Sequence, residues 1–198
     1  AQEAARGDGL TRPRRGTRDS RAPAADPAAG RRTPHAVRLA GVAMRSVDDW
    51  LQEYGESHRN PTNKVLHAVC VPLIVLAVLG LAWAIPVPAA LARAAPLLNW
   101  ATAVIAAGLV YYALLSPRLA LGVVPVVALM VFVLARLAAL AVPLWETCLA
   151  IFVVAWIGQF VGHAIEGRRP SFFKDLQFLL IGPLWLLGFV YRRVGLRY

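Results

Sequence analysis

The chain has 198 residues, 58% of them apolar and 16% charged, with a formal net charge of +10. A soluble domain averages about 45–50% apolar even with Gly counted, and about 25% charged. The apolar excess comes in blocks free of Asp, Glu, Lys and Arg, which excludes a soluble globular domain and a disordered chain and points to helices in a bilayer.

Residues 1–43 are rich in Ala, Arg and Pro and carry no periodic apolar face. Such a stretch cannot bury enough surface to offset its ordering entropy, so a disordered extension is expected there, followed by one membrane-embedded domain over 44–198. An arm bound to anionic lipid is the other reading of its nine Arg. Residues 45–60 read as a short amphipathic helix, with Val47, Trp50, Leu51 and Tyr54 on one face. Trp50 and Tyr54 suit a membrane interface. Asn60-Pro61 then opens a new helix, because Asn is a good N-cap and Pro is favoured in the first turn.

Four spans are expected, at about Leu66–Pro88, Ala94–Pro117, Leu119–Pro143 and Thr147–Ile165. Each reaches the roughly 20 residues that hydrocarbon requires. A fifth apolar stretch, Leu176–Tyr191, is shorter and interrupted by Gly182-Pro183, and reads as a broken, non-spanning segment. The expected fold is an all-α, multi-pass membrane helix bundle. Arg45, Arg59, Lys64, Arg118, Arg168, Arg169 and Lys174 then share one side, and Arg93 alone faces the other. The positive-inside rule makes the rich side cytoplasmic, in a bacterial inner membrane. No nucleic-acid signature is present, since no basic helix carries interleaved aromatics. Cys70 and Cys148 lie in apolar blocks, and no disulfide is expected.

Four-span parity brings three histidines to the cytoplasmic end: His58 and His67 around the start of the first span, and His163 at the end of the fourth. Imidazole is a standard ligand for first-row metals, so the three form a candidate metal site. Asn63 and His67 are four apart on one helix face. Trp156, Gln159, His163 and Glu166 fall in one stripe roughly 80° wide at about 100° per residue. Polar side chains in a membrane helix are costly without partners, which makes them functional candidates. Plainer roles stand beside these. Each His can be an interfacial side chain reaching water. Glu166 can pair with Arg168 or Arg169, and Gln159 can bond a neighbouring helix. Arg136 and Glu146 read as a structural pair across the third turn.

The run His58-Arg59-Asn60-Pro61-Thr62-Asn63, then His67 and Val71-Pro72, resembles the first motif of the 2-hydroxy fatty acid dioxygenases, iron-dependent enzymes of fatty acid α-oxidation. Trp156-Ile157-Gly158-Gln159-Phe160-Val161-Gly162-His163, with Glu166 and Arg168-Arg169-Pro170, resembles the second. The likeness covers about residues 45–195. One departure is that the yeast member has paired histidines before Asn-Pro, where this chain has His58 and then Arg59. The resemblance implies that Fe(II), held by His58, His67 and His163, serves the conversion of a long-chain 2-hydroxy fatty acid and O₂ to the acid one carbon shorter. The substrate's 2-hydroxyl and carboxylate would chelate the metal. Arg168 or Arg169 would grip the carboxylate with Asn63 nearby, and Glu166 and Gln159 would serve catalysis. Glu166 would do so behind a ligating His or as a carboxylate ligand. No protein partner is implied. A metal-independent scaffold or small transporter, and another iron-dependent lipid oxidase, remain the alternatives.

Overall fold

The structure is a computed structural model that describes residues 45–95, 98–169 and 177–198, apart from the side chains of 91 and 92, together with the backbone of 38–39 and 42–43. Among the described residues the chain is helical except for one antiparallel pair of two-residue strands, β1 (Arg38–Leu39) and β2 (Val42–Ala43). These four residues are the described part of the stretch expected to be disordered. The rest of it lies outside the described residues.

Seven helices follow among the described residues. The first, α1 (Val47–Glu56), starts at Ser46, whose hydroxyl accepts from the Asp49 N–H at 3.2 Å, with Asp48 and Asp49 favourably placed in the first turn. The second, α2 (Pro61–Ala84), begins as the Asn-Pro signal foretells, with the Asn60 side chain accepting from the Thr62 N–H at 2.9 Å. A short α3 (Ala89–Ala94) occupies what reads in sequence as a plain connection. Then come α4 (Trp100–Leu115), α5 (Pro117–Ala138), α6 (Leu144–Glu166) and α7 (Phe178–Arg193).

Among the described residues three helices, α2, α5 and α6, are long and apolar enough to cross a membrane, not four. The expected second span is α4, whose 16 residues give about 24 Å at 1.5 Å per residue. The shortening comes from its caps. Asn99 and Thr102 form a capping box that fixes the start, and Ser116 ends α4 while its hydroxyl caps α5. The fifth segment also differs from expectation. It is one continuous helix with Pro183 inside it, which forgoes one backbone hydrogen bond without breaking the segment.

Helices α2 and α6 run antiparallel with their backbones close. A Cβ on Gly158 would lie 2.6 Å from Cys70 Sγ, one on Gly162 would overlap Asn63 Oδ1, and one on Gly80 would overlap Cys148 Sγ and Leu134. Small residues four apart are the usual way membrane helices come together. Ala77, Leu79, Leu134 and Cys148 form a tight apolar cluster at one end. At the other end α1 lies against α7. Trp50, Leu51 and Tyr54 are buried there with Phe178, Ile181, Leu184 and Trp185. The interfacial placement expected for Trp50 and Tyr54 is therefore corrected: α7 covers them. Tyr112 Oη donates to the Leu180 carbonyl at 2.9 Å, and Tyr191 Oη to the Arg118 carbonyl at 2.7 Å, tying α7 to α4 and α5. Arg118 also donates to the Arg197 carbonyl, so the C-terminal arginines share the end where α5 begins. Both cysteines are free and buried. Arg136 and Glu146 are exposed and form no ion pair. Arg136 sits in the last turn of α5 and Glu146 in the first turn of α6, where each suits its own helix dipole.

Candidate metal centre

Three elements bring the histidines together. His58 lies in the connection between α1 and α2, His67 in the second turn of α2, and His163 in the last turn of α6. They are 2%, 2% and 5% exposed, so water does not satisfy them. One ligating nitrogen from each lies within 4.8 Å of the others. The convergence expected from span parity is thus present, with His58 included despite its offset from Asn60. Glu166 is not in that group.

The ring nitrogens have a proton shortage. His58 Nδ1 sits 2.6 Å from the Tyr54 carbonyl and His67 Nδ1 3.1 Å from the Asn63 carbonyl. A carbonyl only accepts, so each Nδ1 carries the proton. The two Nε2 atoms then face each other at 2.8 Å with bare lone pairs. Two neutral imidazoles cannot supply three protons. Protonating the pair is opposed by burial, which pushes His58 down to about 4 against the weaker opposite pull of the Tyr54 carbonyl. A metal ion resolves the conflict. Ligating histidines commonly donate the other N–H to a carbonyl, and two imidazole nitrogens on one ion stand about 3 Å apart. His163 Nδ1, buried without a partner, offers a third donor. The donor set therefore fits a first-row metal.

Aromatic rings frame the site. Tyr54 stacks on His58 at 4.2 Å between centroids and 9° between planes, and Trp185 lies 5.1 Å from His58. Burial raises the Tyr54 phenol well above its ordinary pKa, keeping it neutral. Sequence reading gave neither Tyr54 nor Trp185 a part in the site. For Tyr54 a signal existed: it stands four residues before His58, where its carbonyl can meet the imidazole.

Glu166 braces the site rather than pairing with Arg168 or Arg169. Its Oε1 accepts from the Arg59 N–H at 2.9 Å, and its Oε2 from the Asn60 N–H at 2.8 Å. Asn63 Nδ2 adds a bond to Oε2 at 3.1 Å and one to the Ser57 carbonyl at 3.3 Å. The last turn of α6 thereby holds the His58 connection and the start of α2. Asn63, expected near substrate, is 0% exposed, and its Nδ2 is spent inside the protein on Glu166 and Ser57. Arg168 and Arg169 are exposed beyond Gly167, whose φ of 70° makes it a left-handed C-cap.

A cleft of about 50 Å³ runs inward from His67 and His163. That is room for a few water-sized molecules. Gln159 and Trp156 line it on α6, Val71, Ile74 and Val75 on α2, Tyr54 on α1, and Phe178, Leu179 and Gly182 on α7.

The family described as 2-hydroxy-palmitic acid dioxygenase Mpo1-like matches residues 44–112 and 120–194, well over half of the chain. The chain belongs to this Mpo1-like family. Both of its histidine-bearing segments fall inside the matched ranges. No curated protein and no solved structure matches the chain significantly.

Proposed function

We propose that the protein is an Fe(II)-dependent dioxygenase that converts a long-chain 2-hydroxy fatty acid and O₂ to the acid one carbon shorter. The observation that carries this is the His58–His67 pair, whose facing lone pairs call for a cation, in a chain of the Mpo1-like family. His58, His67 and His163 would hold the iron, and three protein ligands leave positions open on the ion. Iron, when bound, supplies the activation of O₂ and of the substrate's polar head.

The chain's own residues do the rest. The two backbone carbonyls fix the His58 and His67 rings so that their Nε2 atoms converge. Glu166 keeps the connection carrying His58 against α6. Tyr54 and Trp185 exclude water from the His58 side. Arg168 and Arg169, exposed just past the end of α6, attract the carboxylate, and one of them holds it by a bidentate contact. The apolar wall of Val71, Ile74, Val75, Phe178 and Leu179 receives the first carbons of the acyl chain. The remainder lies along the lipid-facing surface, since the cleft is too small to enclose it.

The basic residues gathered at the histidine end favour a cytoplasmic site. In intact cells, cysteines placed at the exposed positions 59 and 169 should resist a membrane-impermeant thiol reagent, and ready labelling of both would reverse the orientation.

The deciding experiment measures metal content of the protein purified in detergent, then O₂ uptake by the iron-loaded form. Substrates are 2-hydroxy, 3-hydroxy and unsubstituted acids of equal length. About one iron per chain and turnover of the 2-hydroxy acid are expected. Two irons per chain would favour a different lipid oxidase. No metal, or no turnover by folded, loaded protein, would leave a scaffold or transporter.

A further inference from the structure

We infer that Gln159 is the residue that reads the 2-hydroxyl of the substrate, and so sets the preference for 2-hydroxy over unsubstituted acids. This rests on the function proposed above and assigns to the same site its specificity determinant.

Gln159 is 5% exposed, and its Nε2 is enclosed with no hydrogen-bond partner. Leaving a buried amide donor unpaired is a standing cost, one that protein interiors rarely accept. Its surroundings on the cleft wall are otherwise apolar side chains, aromatic rings and the two histidines. No neighbour is placed to accept from it, so the partner has to come from an occupant of the cleft.

Position decides which atom of that occupant it meets. Gln159 stands four residues before His163 on α6, so it lies on the same face, one turn deeper along the helix. From the end of α6 toward its middle the order along the cleft is His163, then Gln159, then Trp156, with Arg168 and Arg169 exposed just past the end of the helix. An acid whose carboxylate is held toward the arginines and histidines extends its chain inward. The first polar atom met below the carboxylate is then the oxygen on C2. Gln159 Nε2 donates to that oxygen. An unsubstituted acid places a methylene there and leaves the amide unpaired, which is the arrangement by which a polar pocket rejects an analogue lacking its hydroxyl.

The test uses Gln159→Leu, which keeps the side-chain size and removes the donor. Replacing an unsatisfied amide with an apolar isostere does not weaken the fold. Metal content is measured first. Equilibrium binding of 2-hydroxypalmitate and of palmitate to the metal-loaded, detergent-purified protein follows, and then turnover of 2-hydroxypalmitate. The variant should keep its metal, bind 2-hydroxypalmitate about 10- to 100-fold more weakly and bind palmitate as well as wild type or better. An equal loss for both acids would overturn the inference, since Gln159 would then serve the carboxylate or the fold. Loss of the metal would overturn it by showing a structural role. No change for either acid would overturn it while wild-type turnover kept the proposed function intact. A wild-type protein that does not distinguish the two acids would fail the proposed function itself, before any variant is made.

Discussion

The two ends of the α2–α6 pair solve the same packing problem with opposite materials. At one end Gly80, Ala77, Leu134 and Cys148 close into a dry apolar contact in which a single added carbon would overlap a neighbour. At the other end the same two helices carry Asn63, His67, Gly162, His163 and Glu166, and are joined by hydrogen bonds around a cluster of imidazoles. The apolar end needs only shape. The polar end needs shape and satisfied donors, and the proposed ion would complete it. The first can hold the helices in register, so the second can keep groups that would not associate on their own account.

This contrast can be broken from the polar side with the largest effect. Replacing His67 or His163 by Ala should abolish metal retention after dialysis, read by metal analysis, while the helical content seen by circular dichroism stays. His58→Ala should weaken retention without abolishing it. Retained full occupancy in the His67, His163 double variant would place the metal elsewhere.

Removing the brace should have the next effect. In Glu166→Gln one amide nitrogen would face a backbone N–H that now has a carboxylate oxygen. Metal affinity should fall about 10- to 100-fold, as for other groups that orient ligands. A competition titration with a chelator would measure it.

Two glycine substitutions sharpen the comparison directly. Gly80→Ala should cost about 1–3 kcal/mol of stability through overpacking and leave the metal in place. Gly162→Ala pushes on Asn63, the residue that links Ser57 to Glu166, and should loosen the metal as well. Equal metal retention in the two variants would mean that the ends are not mechanically distinct. The smallest effect is expected outside the packed region: Arg169→Ala should raise KM for the 2-hydroxy acid severalfold with metal content unchanged.

The sequence announced the parts of this site that depend on local signals. Asn60-Pro61 started α2 where it should, and the three histidines met because their positions along the spans left few other arrangements. What it hid were jobs defined by distant partners. Glu166 looked like a partner for Arg168 or Arg169, yet its oxygens are taken by two backbone N–H groups about a hundred residues away. Backbone donors carry no residue-type signature. Trp50 and Tyr54 looked interfacial because nothing local shows that α7 returns to cover them. The second apolar block was long enough to span by composition, and only the caps at Asn99 and Ser116 cut it to 16 residues.

The bond between Asn63 and Glu166 joins residues 103 apart in the chain. A ribosome adding about 5–20 residues per second takes on the order of 5–20 s to make the second partner after the first. During that interval α2 stands in the bilayer with an amide and an imidazole that still lack their neighbours on α6, Glu166 and His163. Asn63 and His67 both lie in its first two turns, close enough to the membrane border for water to serve them in the meantime. Placing the same residues near Gly80 would strand them in hydrocarbon until α6 arrived. The histidine site is therefore a late product of assembly, and its position at the end of the helix is what lets the chain wait for it.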